Sequence, residues 1–154
     1  MAESKFGPIV GCWQMVEAYD INDPGLPGKS YPWGNPPLGY WVYDSAGNVS
    51  VQISINPPLP AVNIATSSWW MLGSNSINEA ILASFNNYMA YFGTYTVEYN
   101  ADQTAGTVTA QVTTDVLRQY TGTSQPRPFT LQGDTLTIGD PTSYIRIFKR
   151  VAPA

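Results

Sequence analysis

The 154-residue chain carries seven basic and eleven acidic side chains, a net charge of −4, no histidine, and twenty aromatic residues (five Trp, ten Tyr, five Phe). The missing imidazole excludes Ser-His-Asp and Cys-His catalysis and His-ligated metal sites, while the single Cys12 excludes an intrachain disulfide and a Cys-rich metal site. The scattered basic residues form no nucleic-acid-binding patch. The composition therefore predicts one domain over residues 1–154, with no cofactor and no metal.

Short segments of alternating hydrophobicity dominate the chain and predict β-strands. In chain order they are residues 11–19, 39–44, 48–55, 92–99, 107–113, 125–131, 135–139 and 144–150. Turn sequences such as Asp44-Ser45-Ala46-Gly47 and Gly133-Asp134 separate them. Only residues 78–91 have helical periodicity, with Tyr88 and Tyr91 on the apolar stripe. The sequence thus predicts an all-β protein, a closed antiparallel β-barrel of about eight strands with one helix and an internal cavity.

Two Pro-rich stretches, residues 20–37 and 56–74, follow neither period and predict long connections. Such loops tend to be lids or flexible segments. Trp69-Trp70-Met71 lies in the second stretch, and two adjacent exposed Trp residues are costly unless they cover something. We therefore expect a lid over the cavity mouth. The alternative is that these residues pack on the barrel exterior or in an oligomer contact, such as that of a homodimer.

The turn around Gly47 assigns side chains to faces of the sheet. With Gly47 in a left-handed conformation, Tyr43 lies opposite Val49 and Trp41 lies opposite Val51. These four residues form one apolar face, which we expect to point inward.

The Gly133-Asp134 turn gives a second register. It pairs Phe129 with Ile138 and, if the ladder continues, sets Arg127 opposite Asp140 on the inward face. The pair either orients a polar ligand head or forms a structural salt bridge at the end of the barrel.

Motifs along nearly the whole chain resemble the small lipocalin-like domain family, whose relatives include lipocalin-like proteins of natural-product pathways. The first motif has the Gly-x-Trp pattern with which lipocalin-type barrels start, and the others resemble the family's later signatures. In order, the motifs are Gly11-Cys12-Trp13-Gln14-Met15-Val16, Leu38-Gly39-Tyr40-Trp41-Val42-Tyr43 with Gly47, Tyr88-Met89-Ala90-Tyr91-Phe92-Gly93-Thr94-Tyr95, Gly106-Thr107-Val108-Thr109, Gly122-Thr123 and Arg127-x-Phe129.

The resemblance implies a closed barrel whose cavity binds a small apolar ligand. Some lipocalin-fold proteins encoded beside natural-product pathways are cofactor-free cyclases or isomerases, including catalysts of [4+2] cycloadditions, and others only carry ligands. This chain departs from the family at Ala110, where relatives often have His, and at Arg118 and Tyr120, where they often have Pro and Trp. A function that depends on that His is not expected here.

Glu17 and Tyr95 are the predicted catalytic residues. Glu17 alternates with Trp13, Met15 and Tyr19, and a carboxyl group among apolar side chains has a raised pKa that suits proton transfer near neutral pH. The alternative is that the strand ends or bulges there and that Glu17 is solvated. Trp13 is predicted to plug the closed end of the barrel.

The remaining predicted site residues bind the ligand by enclosing it, or else simply pack the core. They are Met15, Tyr19, Trp41, Tyr43, Val51, Trp69, Trp70, Met71, Tyr88, Tyr91 and Arg127.

Two functions follow as hypotheses. The first is a cofactor-independent cyclase or isomerase that holds a small apolar or conjugated intermediate in a reactive shape. The second is a non-catalytic carrier of a small hydrophobic ligand. The partner is a small molecule in both cases, rather than nucleic acid or a membrane. We see no signal-peptide pattern and no apolar run long enough to span a bilayer, which predicts a cytoplasmic protein.

Overall fold

The computed structural model of the chain describes residues 5–23, 26–57 and 88–152. These residues form nine β-strands joined by tight turns and short connections. The strands are β1 (Gly11–Asp23), β2 (Leu26–Ser30), β3 (Leu38–Tyr43), β4 (Asn48–Ser54), β5 (Tyr88–Tyr99), β6 (Ala105–Asp115), β7 (Ser124–Gln132), β8 (Thr135–Ile138) and β9 (Tyr144–Arg150).

Eight of these strands close into an antiparallel barrel. From β3 to β9 each strand pairs with its neighbour in sequence, and β1 completes the ring by pairing with β3 on one edge and β9 on the other. The short β2 lies outside the ring, paired with the C-terminal end of β1. Closure satisfies the backbone groups that a free sheet edge would leave unpaired. The predicted eight-stranded antiparallel barrel is confirmed.

Both hairpin registers deduced from the turns are confirmed. Tyr43 pairs with Val49 and Trp41 with Val51, with Gly47 at a φ of 96° in the loop. A positive φ is easily reached only by glycine, so Gly47 fixes this register. In the second hairpin Phe129 pairs with Ile138 as expected.

The predicted helix over residues 78–91 is wrong at its C-terminal end. Tyr88–Tyr91 begin β5 and pair with β4, from Ser54 to Val51. The helical spacing of the aromatic residues is a local pattern, and pairing with a neighbouring strand overrides it. Residues 78–87 lie outside the described residues. Among the described residues the helical segments are two short 3₁₀ turns, Gly7–Ile9 and Arg118–Tyr120.

The stretch over residues 20–37 also differs from the predicted loop. Residues 20–23 continue β1, and Leu26–Ser30 form β2. The alternating pattern in these residues is interrupted by Pro and Gly, which hides the strands from sequence inspection. Residues 58–74 of the other predicted loop lie outside the described residues.

One end of the barrel is closed by Trp13, as predicted. Its side chain is 0% exposed and its indole N–H donates a hydrogen bond to Ile9 O over 2.8 Å. The Arg150 guanidinium lies 4.0 Å from the centre of a Trp13 ring, and it donates to Val10 O and Pro8 O over 2.7 and 2.6 Å. The N-terminal segment is thereby tied across this end, so a ligand must enter from the opposite one.

Candidate functional site

A cavity of about 480 Å³ occupies the opposite end of the barrel. Its walls are the inward-facing side chains near the ends of β3 to β9, together with Trp33 and the connection between β6 and β7. Most of the wall is aromatic or aliphatic, from Trp33, Trp41, Ile53, Met89, Tyr91 and Ile138. A space of this size suits one small organic molecule.

Packed aromatic rings form the floor of this cavity. Trp41 meets Tyr91 and Phe148 edge to face, with ring centres 6.0 and 5.3 Å apart. Below Trp41 the ring of Tyr43 is stacked at 6.3 Å, and Tyr43 in turn contacts Tyr95. The barrel is therefore filled by side chains in its closed half and open in the other half.

Two polar atoms on the cavity wall have no hydrogen-bond partner among the described residues. They are Nε1 of Trp41 and the hydroxyl oxygen of Tyr91, whose residues are each 4% exposed. Buried polar groups in folded proteins are almost always hydrogen-bonded, since an unpaired group costs about 1–3 kcal/mol. Both residues line the open cavity, with these two polar atoms buried in its wall.

Arg127 stands beside these two side chains. Its guanidinium carbon lies 5.5 Å from the centre of a Trp41 ring and 5.8 Å from that of Tyr91. The guanidinium donates hydrogen bonds to the backbone and side-chain oxygens of Gln125, which hold it in place. No carboxylate of the described residues lies within 4.0 Å of it.

The predicted pairing of Arg127 with Asp140 is wrong. Strand β8 ends at Ile138, so the ladder stops before it reaches Asp140. The Asp140 carboxylate instead accepts hydrogen bonds from the backbone N–H and hydroxyl of Thr142 within the β8–β9 turn. These bonds hold its pKa below the ordinary value. Arg127 is left facing the cavity without this counter-ion.

The other guanidinium in the cavity wall is neutralised. Arg146 lies 2.8 Å from the carboxylate of Asp20 and donates a hydrogen bond to Tyr19 O over 2.8 Å. This arrangement makes Arg146 part of the wall, whereas Arg127 keeps its charge available.

Burial in this aromatic wall raises the pKa of Tyr91 far above its ordinary value of 10.0. Desolvation is the largest cause, and the neighbouring positive charge of Arg127 opposes it. Tyr43, deeper in the barrel, has a pKa raised by the same cause. Tyr91 is therefore a neutral phenol at physiological pH.

Glu17 and Tyr19 do not face inward as predicted. A register shift between Met15 and Glu17 places a bulge in β1, after which Glu17 pairs with Ile147 and the buried Ala18 with Arg146. A bulge adds one residue and reverses the faces of all that follow. The Glu17 carboxylate lies on the outer surface, where it accepts a hydrogen bond from the Tyr31 hydroxyl over 3.4 Å.

The predicted catalytic hydroxyl of Tyr95 lies away from the cavity. Tyr95 is buried as expected, but its hydroxyl donates to Asp44 O over 2.8 Å and its ring contacts Phe6 at 4.7 Å. This position belongs to the closed half of the barrel. We assign Tyr95 to the packing of that end.

Tyr88 is also outside the cavity. It is 39% exposed on the outer face of β5, and its hydroxyl donates to the Gln52 side chain. The prediction put Tyr88 and Tyr91 on one helical stripe, whereas in a strand residues three apart face opposite sides.

The other predicted ligand-binding residues that the structure describes divide into two groups. Met15, Tyr43 and Val51 are buried in the core and do not line the cavity. Trp41, Tyr91 and Arg127 line it together. Trp69, Trp70 and Met71, the predicted lid, lie outside the described residues.

Several cavity residues were missed in the sequence. Tyr144 and Arg146 alternate with the core residue Phe148, so the period of β9 carried a usable signal for both. The sequence carried no signal for Asp115, because a second register shift, in β6, turns this side chain inward opposite Tyr91. Trp33 comes from a connection, where no periodicity exists.

Two other kinds of feature concern membranes and metals. Among the described residues no helix is long and apolar enough to cross a membrane. In the same ranges no three Cys, Asp or Glu side chains lie close enough together to hold a metal ion.

Comparison with known protein families shows where the chain belongs. The sequence profile of the family described as "Lipocalin-like domain" matches residues 10–149, which span all nine strands except the last residue of β9. No curated protein matches the chain.

Proposed function

The chain belongs to the lipocalin-like domain family, and from this membership and the open cavity we propose that it binds one small aromatic or conjugated molecule. The observation that carries the proposal is the cavity wall itself, which is mostly aromatic and aliphatic and has the Arg127 guanidinium beside Trp41 and Tyr91. Pockets for small molecules combine such a wall with a few polar groups that orient the ligand.

Binding of the neutral dye N-phenyl-1-naphthylamine tests this proposal. Its emission rises in apolar sites, and its two linked aromatic ring systems match the aromatic wall. We expect one saturable site per chain. A Met89→Trp variant adds bulk to the cavity wall and is expected to weaken binding about tenfold or more. Phe92→Trp, three residues along β5 on the outer face and 53% exposed, is the matched control.

If Met89→Trp and Phe92→Trp bind the dye equally well, the dye binds on the surface. If the unmodified chain shows no saturable binding, the proposed binding function is wrong. The near-ultraviolet circular dichroism of each variant checks that the barrel is intact.

A second function, cofactor-independent cyclisation or isomerisation inside the cavity, is favoured by one further observation. Tyr91 keeps its proton, and Arg127 lies over the same floor. A neutral phenol and a guanidinium that both point at a carbonyl oxygen stabilise the negative charge that develops there during such reactions. The aromatic walls hold the remainder of the substrate in a reactive shape.

The test uses metabolites from a strain that lacks the gene. Extract of that strain is incubated with the purified protein and analysed by mass spectrometry. A cyclase or isomerase converts one accumulated metabolite into another of identical mass. Tyr91→Phe is expected to lower the rate at least about tenfold, by analogy with loss of one oxyanion donor. Glu17→Gln on the outer surface is expected to leave it unchanged. If the metabolite binds but no isomer forms, the carrier function remains.

A further inference from the structure

The charge and donor pattern of the cavity carries information about the ligand itself, provided that the proposed binding function is correct. Three side chains meet at the floor, where the Arg127 guanidinium lies over the rings of Trp41 and Tyr91. A guanidinium is a donor only. A ligand that binds it must therefore supply acceptor atoms.

We propose that the cavity selects a conjugated or aromatic carboxylate, with its carboxylate group against Arg127 and its planar body against the rings of Trp41 and Tyr91. A guanidinium presents parallel N–H groups that match the two oxygens of a carboxylate. The flat aromatic floor suits a planar ligand body.

The other charged groups of the described wall support this orientation. Arg146 is paired with Asp20 at 2.8 Å. Asp115 accepts a hydrogen bond from Leu117 N–H over 2.6 Å, so its carboxylate is anchored within its own connection. Arg127 is the cation of this wall that has no carboxylate within 4.0 Å among the described residues. An anionic ligand supplies that missing charge.

The aromatic contacts of Arg127 hold the cation in place for this purpose. Its guanidinium lies over Trp41 and Tyr91, whose ring faces attract a cation, and Gln125 accepts two of its hydrogen bonds. No hydrogen bond to another described residue occupies its remaining N–H groups, which can bind a ligand because a guanidinium carries five.

The experiment compares 2-naphthoate with 2-naphthamide by calorimetric titration of the purified chain. The two probes share ring, shape and size and differ in charge. We expect 2-naphthoate to bind at least about tenfold more tightly, since a hydrogen bond to a charged partner is worth more than one between neutral groups.

Substitutions at Arg127 test whether this side chain causes the preference for 2-naphthoate over 2-naphthamide. Arg127→Met is expected to abolish the preference while binding of 2-naphthamide changes less than about twofold, which also shows that the variant cavity is intact. Arg127→Lys restores part of the preference, because it returns the charge without the paired N–H geometry. Arg118→Met, at an exposed position that does not line the cavity, is the matched control for loss of one positive charge.

The outcomes separate this inference from the proposed function. Equal affinity for the two probes in the unmodified chain, or a preference for 2-naphthoate that survives Arg127→Met, overturns the carboxylate assignment but leaves cavity binding in place. If neither probe nor the neutral dye binds, the binding function and the inference fall together.

Discussion

Hydrogen bonding divides the aromatic residues of this barrel into two kinds. At the closed end three aromatic residues have hydrogen-bond partners: Trp13 donates to Ile9 O, Tyr95 to Asp44 O, and Tyr99 to Phe6 O. At the open end the buried Trp41 and Tyr91 have none among the described residues. Residue type alone does not distinguish these two groups. The presence or absence of a hydrogen-bond partner does, and it indicates a structural role for the first group and a binding role for the second.

Removal of the Tyr95 hydroxyl tests its structural role. Tyr95→Phe deletes the hydrogen bond to Asp44 O and is expected to lower the free energy of unfolding by about 1 kcal/mol. The affinity for N-phenyl-1-naphthylamine should stay unchanged. Urea denaturation and dye titration measure the two quantities. A loss of affinity without a loss of stability would return Tyr95 to the binding site.

The closed end should depend strongly on Arg150. Arg150→Met removes two hydrogen bonds to the N-terminal segment and the cation above the Trp13 ring. We expect a loss of about 2–3 kcal/mol in unfolding free energy, from the typical values of charged hydrogen bonds and cation–π contacts. Urea denaturation monitored by circular dichroism measures it, with the exposed Arg118→Met as the control. A loss equal to that of the control would show that the N-terminal segment does not depend on this anchor.

Register shifts in two strands decide which charged side chains enter the barrel. The shift in β1 turns Glu17 outward and places Asp20 opposite Tyr144 of the cavity wall. The shift in β6 turns Asp115 inward, opposite Tyr91. Each adds one residue to one strand, and the pleat then exposes the opposite set of side chains. Asp115, the acidic residue of the described cavity wall, therefore faces the cavity because of a strand irregularity and not because of strict alternation.

Close pairing of β5 with β6 depends on a missing side chain at Gly93. A Cβ at this position would lie 1.9 Å from Gln111 O, so the two backbones cannot keep their distance if Gly93 is replaced by Ala. We expect Gly93→Ala to cost about 3 kcal/mol of unfolding free energy.

Gly122→Ala gives the comparison, because no atom lies within 4 Å of its Cβ and only its φ of +77° is strained. Its expected cost is about 1–2 kcal/mol. Urea denaturation of both variants measures the difference, and equal losses would contradict the steric explanation for Gly93.

Closure of the barrel buries tyrosine hydroxyls, which gives the whole molecule a characteristic response to alkali. Burial raises the pKa of Tyr43, Tyr91 and Tyr95 above 10.0. Between pH 10 and these raised values the folded chain keeps protons that the unfolded chain releases. The unfolded state then binds fewer protons, so stability falls as the pH rises above about 10, and it is unaffected by these groups below that pH.

We expect the unfolding free energy to drop by up to about 1.4 kcal/mol per pH unit above pH 10 for Tyr91 alone. Phenolate absorbance and urea midpoints from pH 8 to 11 measure ionisation and stability together. Tyr91→Phe should make the decline shallower, whereas Tyr40→Phe, at an exposed position, should not. Ionisation of every tyrosine near pH 10 without unfolding would contradict the buried positions.

The sequence by itself determined the barrel. Alternating hydrophobicity located eight strands, and glycine-containing turns at Gly47 and Gly133 fixed two registers that the structure reproduces. These features are local, since a strand's period and a turn's backbone angles depend on a few neighbouring residues. The same local signals placed Trp41 and Arg127 in the cavity, whereas Tyr91 was assigned to the site through a helix that the structure does not form.

Only the tertiary structure decided the composition of the site. The register shifts that turned Glu17 outward and Asp115 inward come from pairing with distant strands, β9 and β5, which local patterns do not specify. Local patterns also do not specify that the Tyr95 hydroxyl donates to Asp44 O. Nor do they specify that β8 ends at Ile138, which keeps Asp140 from pairing with Arg127. Side-chain direction and hydrogen-bond partners depend on contacts across the barrel, and within the described residues those contacts left Arg127 in the cavity wall without a carboxylate partner.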